Sequence, residues 1–324
     1  MLTRRLASVA MAISSVVAAP SFGQQDYPNK PIRLIVPFPP GGITDGSARV
    51  IAERLGARLG QQIVVENRGG AQGNIGSQSV ARAAPDGYTL LLGVDSTLVV
   101  NPHLFAKIPF DPIRDFTPIS KLGDINLILV AHPTFAPNNL AELVALDKQK
   151  PGTIPYGTAG IGSNGHMLVA LLSARTGMQL VHVPYKGGGP AIIDVVGGQI
   201  PLVGTGVVSA IQQVRQGSVK AIGVGSPNRD PALPNVPTFA ESGPPGFVGL
   251  GWTGIVAPAG APRSIIDRLQ REIVAALGEK EVRDRYATMG IAAHGTTPEE
   301  FAELIRTDLV KWGNVIREAG IKAE

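Results

Sequence analysis

Four glycine-rich stretches lie where a predicted strand gives way to a predicted helix, and these stretches have the clearest potential for chemistry. They are residues 40–45, 157–165, 187–189 and 204–206. Glycine lets a ligand approach the backbone closely, and the first turn of a helix offers free N–H groups with a partial positive charge. In a parallel sheet such loops gather at the carboxyl ends of the strands. Together they predict a binding site for a small anion.

The second stretch allows more than one interpretation. Residues 160–165 form a literal G-x-G-x-x-G between a strand and a helix. A dinucleotide site also needs an acidic residue about 20 positions further on, and the next predicted strand ends without one, so we expect no cofactor. Ser163 and Asn164 are instead expected to cap the helix and to leave polar groups facing a cleft. The alternative is a secreted α/β hydrolase that uses Ser163 and His166.

The composition excludes several other chemistries. The chain has no cysteine, which rules out disulfides, thiol nucleophiles and cysteine-based metal sites. Its five histidines lack metal-ligand spacing, so we expect no metal. The formal charge is +4, and loss of Arg4 and Arg5 with a leader would leave 27 Lys+Arg against 25 Asp+Glu, a charge of +2. This small, evenly spread excess predicts no nucleic-acid partner.

The first 23 residues have the pattern of an export signal. Arg4 and Arg5 precede an apolar run over residues 6–19, which is followed by Pro20 and small residues up to Gly23. A basic start, a short apolar region and small residues near a cleavage point are typical of a secretory signal peptide. The run is shorter than the roughly 20 residues of a membrane span. We therefore expect export and cleavage after residue 23.

The elements that position the glycine loops follow a repeated order of strand and helix. In the first part, strands are predicted at residues 32–36, 63–65 and 88–92, with helices at 46–59 and 75–84. Thr44 or Asp45 is the expected cap of the first helix. The order restarts with strands at residues 154–156, 180–183, 200–203 and 219–224. This cadence predicts parallel βαβ units in two α/β lobes.

Two further strands, residues 125–132 and Gly251–Pro258, are predicted to cross between the lobes and to form a hinge over a cleft. Helices are expected at residues 265–277 and 298–319, the second with a capping box at Thr297 and Glu300. The predicted organisation is a signal peptide at 1–23, a first lobe at 24–124 plus 252–324, and a second lobe at 125–251.

Longer runs of residues resemble one known family, in order, along the whole mature chain. The matching runs are Tyr27-Pro28-x-Lys30-Pro31-Ile32-Arg33, Val36-Pro37-Phe38-Pro39-Pro40-Gly41-Gly42-x-x-Asp45, Val65-Glu66-Asn67-Arg68-Gly69-Gly70-Ala71-x-Gly73, Ala84-Pro85-Asp86-Gly87-Tyr88-Thr89-Leu90, Gly162-Ser163-x-x-His166 and Val183-Pro184-Tyr185-Lys186-Gly187-x-x-Pro190-Ala191. The chain resembles the Bug receptors, which are the periplasmic solute-binding proteins of tripartite tricarboxylate transporters.

The resemblance implies a type II-like, two-lobed Venus-flytrap fold that closes on a small carboxylate and delivers it to a membrane permease. It implies a monomer without catalysis, whose ligand is held by backbone amides, hydroxyls and water. Carried over by position, the expected ligand-binding residues are Phe38, Pro40, Gly41, Gly42, Asp45, Ser96 and Thr97 in one lobe, and Ser163, Asn164, His166, Gly187, Gly188 and Thr205 in the other. For Asp45 a purely structural role as a helix cap is the alternative.

Two departures from the family pattern leave the specificity open. Many relatives carry an acid after the Gly-Gly-Gln turn, where this chain has residues 198–201 as Gly-Gln-Ile-Pro. Another acid often found at the end of the following strand is replaced by the Gly-Thr-Gly of residues 204–206. An acid at these positions could recognise an amine or shape the pocket, so acceptance of an amine-bearing ligand stays open. A ligand sensor that signals to a membrane kinase is a further alternative to transport.

Overall fold

The computed structural model describes residues 27–322 as two α/β lobes, each built around its own mixed sheet. The predicted signal peptide, residues 1–23, lies outside the described residues. The strands are β1 (Ile32–Val36), β2 (Ile63–Asn67), β3 (Thr89–Val94), β4 (Phe116–Ile125), β5 (Leu127–Ala131), β6 (Pro155–Thr158), β7 (Val181–Pro184), β8 (Leu202–Gly206), β9 (Lys220–Val224), β10 (Gly251–Pro258) and β11 (Ile291–Ala293). The helices are α1 (Ile43–Leu59), α2 (Asn74–Ala81), α3 (Asn101–Leu104), α4 (Leu140–Gln149), α5 (Asn164–Thr176), α6 (Gly188–Val196), α7 (Val207–Arg215), α8 (Phe239–Ser242), α9 (Arg263–Leu277), α10 (Lys280–Thr288) and α11 (Pro298–Glu318).

The first sheet has the strand order β11-β4-β10-β3-β1-β2, and its three strands β2, β1 and β3 are parallel. Strand β10 runs antiparallel between β3 and β4 and is buried at all eight positions. Such continuous burial is typical of a strand covered by helices on both faces of the sheet. The second sheet has the order β7-β6-β8-β5-β9 and combines parallel β7-β6-β8 with antiparallel β5. This is the two-lobed α/β fold that the sequence predicts.

Two connections join the lobes side by side. Strand β4 of the first sheet passes through Asn126 directly into β5 of the second. The return is made near Gly249, whose N–H donates to Gly225 O at 2.8 Å, while Gly225 N–H donates to Leu127 O at 2.8 Å. The predicted crossing strand β10 itself lies wholly in the first sheet, because the chain has crossed back before it begins. Two adjacent connections of this kind permit a hinge motion.

The N-terminus of α1 differs from the prediction. The helix begins at Ile43 and not at Gly46, and its N-cap is Gly42, so the prediction of Thr44 or Asp45 as the cap is wrong. Gly42 has the extended backbone of a cap residue, which lets the preceding loop end one turn earlier than the apolar periodicity indicates. The predicted capping box at Thr297 and Glu300 is confirmed by reciprocal hydrogen bonds of 3.1 and 2.9 Å.

Helix α5 is the most deeply buried helix of the second lobe, with every residue from Gly165 to Leu172 buried. It lies between β8 of its own sheet and α11 of the first lobe. At its start, a Cβ on Gly165 would lie 2.5 Å from the carbonyl carbon of Gly204 and 3.0 Å from Thr205 N. Glycine at this position therefore lets the helix N-terminus rest directly on the end of β8, and it fixes where that N-terminus points.

Candidate functional site

The loop before α1, residues 37–42, contains the first glycines and is anchored by the buried side chain of Asp45 in the first turn of that helix. Its carboxylate accepts hydrogen bonds of 3.0 Å from Gly41 N–H and from Asn67 Nδ2, and Asn67 also donates to Phe38 O at 3.0 Å. Arg49 pairs with the same carboxylate at 3.0 Å. Burial alone would raise the pKa of Asp45, but the hydrogen bonds from Arg49, Gly41 and Asn67 outweigh it and lower the pKa. Asp45 thus holds the loop in shape, while the neighbouring loop residues 39–42 are exposed.

The end of β3 lies beside this loop. A Cβ on Gly73 would lie 2.6 Å from Thr97 Oγ1 and 3.3 Å from the Phe38 ring, so these two predicted site residues meet over the same turn. The Thr97 hydroxyl is fully buried and donates to Gln72 O at 3.3 Å. Ser96 is half-buried at the start of the following helical turn. The structure therefore brings Phe38, Ser96 and Thr97 together, with Thr97 engaged in holding the turn.

The predicted residues Ser163, Asn164 and His166 lie at the N-terminus of α5. Ser163 is the N-cap, as predicted; its Oγ accepts from His166 N–H at 3.4 Å and donates to Gly160 O at 2.7 Å. Asn164, which was also expected to be a cap, is instead the first residue of the helix, and it lies toward the first lobe. A Cβ on Gly251, where the chain has just returned to that lobe, would lie 3.1 Å from both Asn164 Cγ and Asp95 Oδ2.

The side chain of His166 packs against the second glycine loop and against β7. Its Nδ1 accepts a hydrogen bond from Gly162 N–H at 3.0 Å, and its ring stacks on His182 at 3.7 Å between centroids. Both rings line a cavity of about 490 Å³ between α5 and the end of α11. Neither contact joins the imidazole to Ser163 Oγ, so the nucleophile–base pair of a hydrolase is not formed. These contacts give the His166 ring a role in holding the second glycine loop.

The stacked histidines predict a loss of stability in acid. Burial, and to a smaller degree His182, lowers the pKa of His166 to about 3, and burial lowers the pKa of His182 to about 4. In the unfolded chain both groups titrate near 6.5. The unfolded chain therefore binds more protons than the folded chain between the folded-state values of about 3 to 4 and about pH 6.5. The stability contributed by the neutral rings is therefore complete above about pH 6.5 and is lost as the pH falls toward 4.

We expect His182→Phe to flatten this acid limb in urea unfolding measured between about pH 4 and pH 7. The matched control is His294→Phe, which replaces an exposed histidine and should keep the wild-type pH dependence. Equal acid dependence of the His182→Phe variant and the wild type would contradict the assigned role of the buried pair.

The remaining predicted residues of the second lobe lie close together at the ends of β7 and β8. Gly187 has a φ of +114° and leads into α6, and a Cβ on the next residue, Gly188, would lie 3.5 Å from Thr205 Oγ1. Thr205 itself is buried in β8, next to the contact between Gly165 and Gly204. The loop before α6, the end of β8 and the start of α5 therefore form one continuous surface.

The two lobes also touch at the second glycine loop. A Cβ on Gly162 would lie 3.6 Å from Gln72 Oε1 and 3.7 Å from Val100 Cγ1, both in the first lobe. Asp95, a residue that the sequence patterns did not single out, is 3% exposed and lies at this junction beside the predicted Ser96. The sequence position of Asp95 could have indicated it, because a polar residue at the carboxyl end of a buried strand lies where ligands bind in α/β folds. Within residues 27–322, no group of three His, Asp or Glu side chains is arranged to hold a metal ion.

Comparisons with known proteins give a consistent result. The family model described as "Tripartite tricarboxylate transporter family receptor" matches residues 47–321. The chain is 38% identical to Protein BugT of Bordetella pertussis over 322 residues, which is 99% of each chain. A solved periplasmic transporter is 39% identical, with a TM-score of 0.78 over 91% of this chain and 99% of that one.

Two further solved structures contain ligands. MatC of Rhodopseudomonas palustris, solved with malate, is 34% identical with a TM-score of 0.75 over 90% of this chain and 100% of that one. A second R. palustris protein, solved with adipate, is 31% identical with a TM-score of 0.79 over 92% of this chain and 99% of that one. Both bound molecules are carboxylates.

Proposed function

Because this chain belongs to the tripartite tricarboxylate transporter receptor family, a family of periplasmic solute-binding receptors, we propose that it captures a small carboxylate between its lobes and delivers it to a membrane permease. The ligand would enter the open cleft, and closure of the lobes about the hinge would exclude water from it. The protein itself would carry out no chemical step on the ligand. The carboxylates bound by its two R. palustris relatives support this ligand class.

The observation that carries the proposal is the direction of α5. Its N-terminus lies against the lobe junction, capped by Ser163 and preceded by a loop of glycines. The first turn of a helix has free N–H groups and the positive end of the helix dipole, which stabilise an anion by about 0.3–1 kcal/mol when exposed and up to about 2 kcal/mol when partly buried. Part of the affinity for a carboxylate therefore comes from the backbone.

The predicted site residues divide into two roles in this proposal. Backbone, hydroxyl and amide groups that would face the ligand come from both lobes: Phe38, Pro40, Gly41, Gly42 and Ser96 from the first, and Asn164, Gly187, Gly188 and Thr205 from the second. The side chains of Asp45, Thr97, Ser163 and His166 would position these groups, because their polar atoms are already bonded to the loops that they hold.

The export step and the oligomeric state are part of the same proposal. The described residues contain no helix that is long and apolar enough to cross a bilayer. We propose that residues 1–23 direct export and are removed after Gly23, and that the mature chain acts in the periplasm as a monomer. Intact-mass measurement of the protein recovered from the periplasm checks the cleavage point.

A thermal-shift panel tests the function. We expect at least one of malate, adipate, succinate and citrate to raise the melting temperature, because a ligand that binds only the native state at 100 times its Kd stabilises that state by about 2.7 kcal/mol. Adipamide, which has the shape of adipate without its charges, is the matched control and should give no shift. Flat responses to all four carboxylates, or an equal response to adipamide, would contradict the proposed ligand class.

A further inference from the structure

Asp95 is a buried acid that the roles assigned above leave unexplained. It follows the last residue of β3 and directly precedes Ser96, one of the residues proposed to face the ligand. The residue is 3% exposed, and its Oδ1 has no hydrogen-bond partner among residues 27–322. A buried carboxyl oxygen without a partner costs stability. Such a group at the junction of the lobes, where the ligand is proposed to bind, points to a partner that arrives with the ligand.

The second oxygen of this carboxyl group lies at the junction of the lobes. Oδ2 of Asp95 and Cγ of Asn164 are both 3.1 Å from the point where a Cβ on Gly251 would lie. Asn164 opens α5, whose N-terminus is the element proposed above to hold the carboxylate. The carboxyl group therefore lies opposite that N-terminus, where lobe closure brings the two sides together.

The charges that surround Asp95 are already balanced. On α11, Asp308 accepts from Lys311 Nζ at 2.6 Å and from Trp252 Nε1 at 2.8 Å, so the ammonium group has its own carboxylate. On β4, the strand beside β10, Lys121 likewise pairs with Asp124 at 2.9 Å. Neither lysine is left to neutralise Asp95.

The protonation of Asp95 follows from this environment. Burial raises the pKa of Asp95 to about 7, and the nearby Asp308 adds to the rise. The backbone N–H groups of Ser96 and Trp252 and the charge of Lys311 oppose the rise without cancelling it. The neutral acid is therefore a large fraction of this side chain at neutral pH and its main form below neutral pH.

We propose that Asp95 is a specificity-determining residue of the cleft, which meets the ligand as the neutral acid and donates a hydrogen bond to a ligand carboxylate oxygen. The inference rests on the proposed function. An ionised Asp95 would repel the anion in a cleft closed to water, whereas the neutral acid forms a short, charge-assisted O–H···O⁻ bond with it. Above neutrality, each bound ligand then takes up one proton, which comes from the solvent and resides on the Asp95 carboxyl group.

Calorimetry with malate and adipate as probes tests this assignment. For the wild type we expect the affinity to fall about tenfold for each pH unit above about pH 7, with heats that depend on the buffer because a proton is taken up. Asp95→Asn keeps a hydrogen-bond donor but cannot titrate, so its affinity should be independent of pH. Asp147→Asn is the matched control, since Asp147 is also buried with an unpartnered Oδ1 but lies in α4 away from the junction; it should keep the wild-type slope.

Three binding results would overturn the assignment. They are a pH-independent affinity of the wild type, a wild-type slope in Asp95→Asn, and preferential binding of an amine-bearing probe such as glutamate with an affinity that rises with pH. The last result would mean that Asp95 binds an ammonium group as a carboxylate.

Unfolding of the ligand-free protein tests Asp95 even if neither probe binds, in which case the proposed ligand class fails separately. The folded protein binds more protons at Asp95 than the unfolded chain between about pH 4 and pH 7, so this contribution to stability is lost as the pH rises through 7. We therefore compare the melting temperature of Asp95→Asn with that of the wild type at two pH values. The difference, variant minus wild type, should be more positive at about pH 8 than at about pH 5. A difference between variant and wild type that is the same at both pH values would overturn the neutral-acid assignment.

Discussion

Gly251→Val is expected to weaken carboxylate binding by roughly two orders of magnitude, equivalent to about 2.7 kcal/mol. The added side chain would enter the space between Asn164 of the second lobe and Asp95 of the first, where even a Cβ lies 3.1 Å from Asp95 Oδ2. Valine suits the extended backbone of β10, and the atoms it meets are ends of polar side chains. The substitution should therefore hold the lobes apart while each lobe keeps its fold.

Gly197→Ala is the matched control for the Gly251→Val substitution. Gly197 follows α6 with a φ of −77°, and an added Cβ would make only ordinary contact, 3.4 Å from Ile193 O. We expect its Kd, measured by calorimetry with the carboxylate that gives the largest thermal shift, to match the wild type. Wild-type affinity in Gly251→Val would mean that the ligand does not depend on closure at this junction.

Gly165→Ala is expected to lower the free energy of unfolding by about 1–3 kcal/mol, the range for overpacking a tight contact. The new Cβ would overlap the backbone of Gly204 and lie 3.0 Å from Thr205 N, and backbone atoms of a central strand cannot move aside as a side-chain end can. The start of α5 would have to shift from β8, which also displaces the N–H groups proposed to bind the ligand.

Urea unfolding of the ligand-free protein measures this cost, and Gly197→Ala again serves as the control with an expected change within about 0.5 kcal/mol. A Gly165→Ala variant that is as stable as the control would contradict the direct contact between α5 and β8. A loss of ligand affinity in the folded Gly165→Ala variant, larger than partial unfolding can account for, would support α5 as the binding element.

Much of the fold was predictable because its elements follow local rules. The alternation of short apolar runs with periodic helices indicated the βαβ units, and the spacing of Thr297 and Glu300 indicated the start of α11. Most of β4 was missed: Pro118 and several polar residues interrupt the apolar pattern of a strand whose burial is decided by its neighbours β10 and β11. The crossing to the second lobe could be placed, but only to within a few residues.

For the candidate site, the sequence indicated which loops would contribute residues, but not the directions of their side chains. The glycines indicated where backbone would be accessible, and Ser163 was identified as a cap. The spacing of His166 in α5 could not reveal that its ring stacks on His182, which lies in strand β7. Asp45 likewise appeared as a cap or a ligand contact, although it anchors its loop through Gly41 and Asn67. Tertiary contacts of this kind have no local signature.

Native mass spectrometry of freshly purified protein tests the central claim most directly, since it asks what the cleft carries. We predict a mature chain that begins after Gly23 and retains one small carboxylate, identified by its mass, with the adduct absent from Gly251→Val. A ligand-free wild type that also fails to bind every carboxylate of the thermal-shift panel would contradict the account. So would a retained molecule without a carboxylate, or an adduct that persists in the Gly251→Val variant.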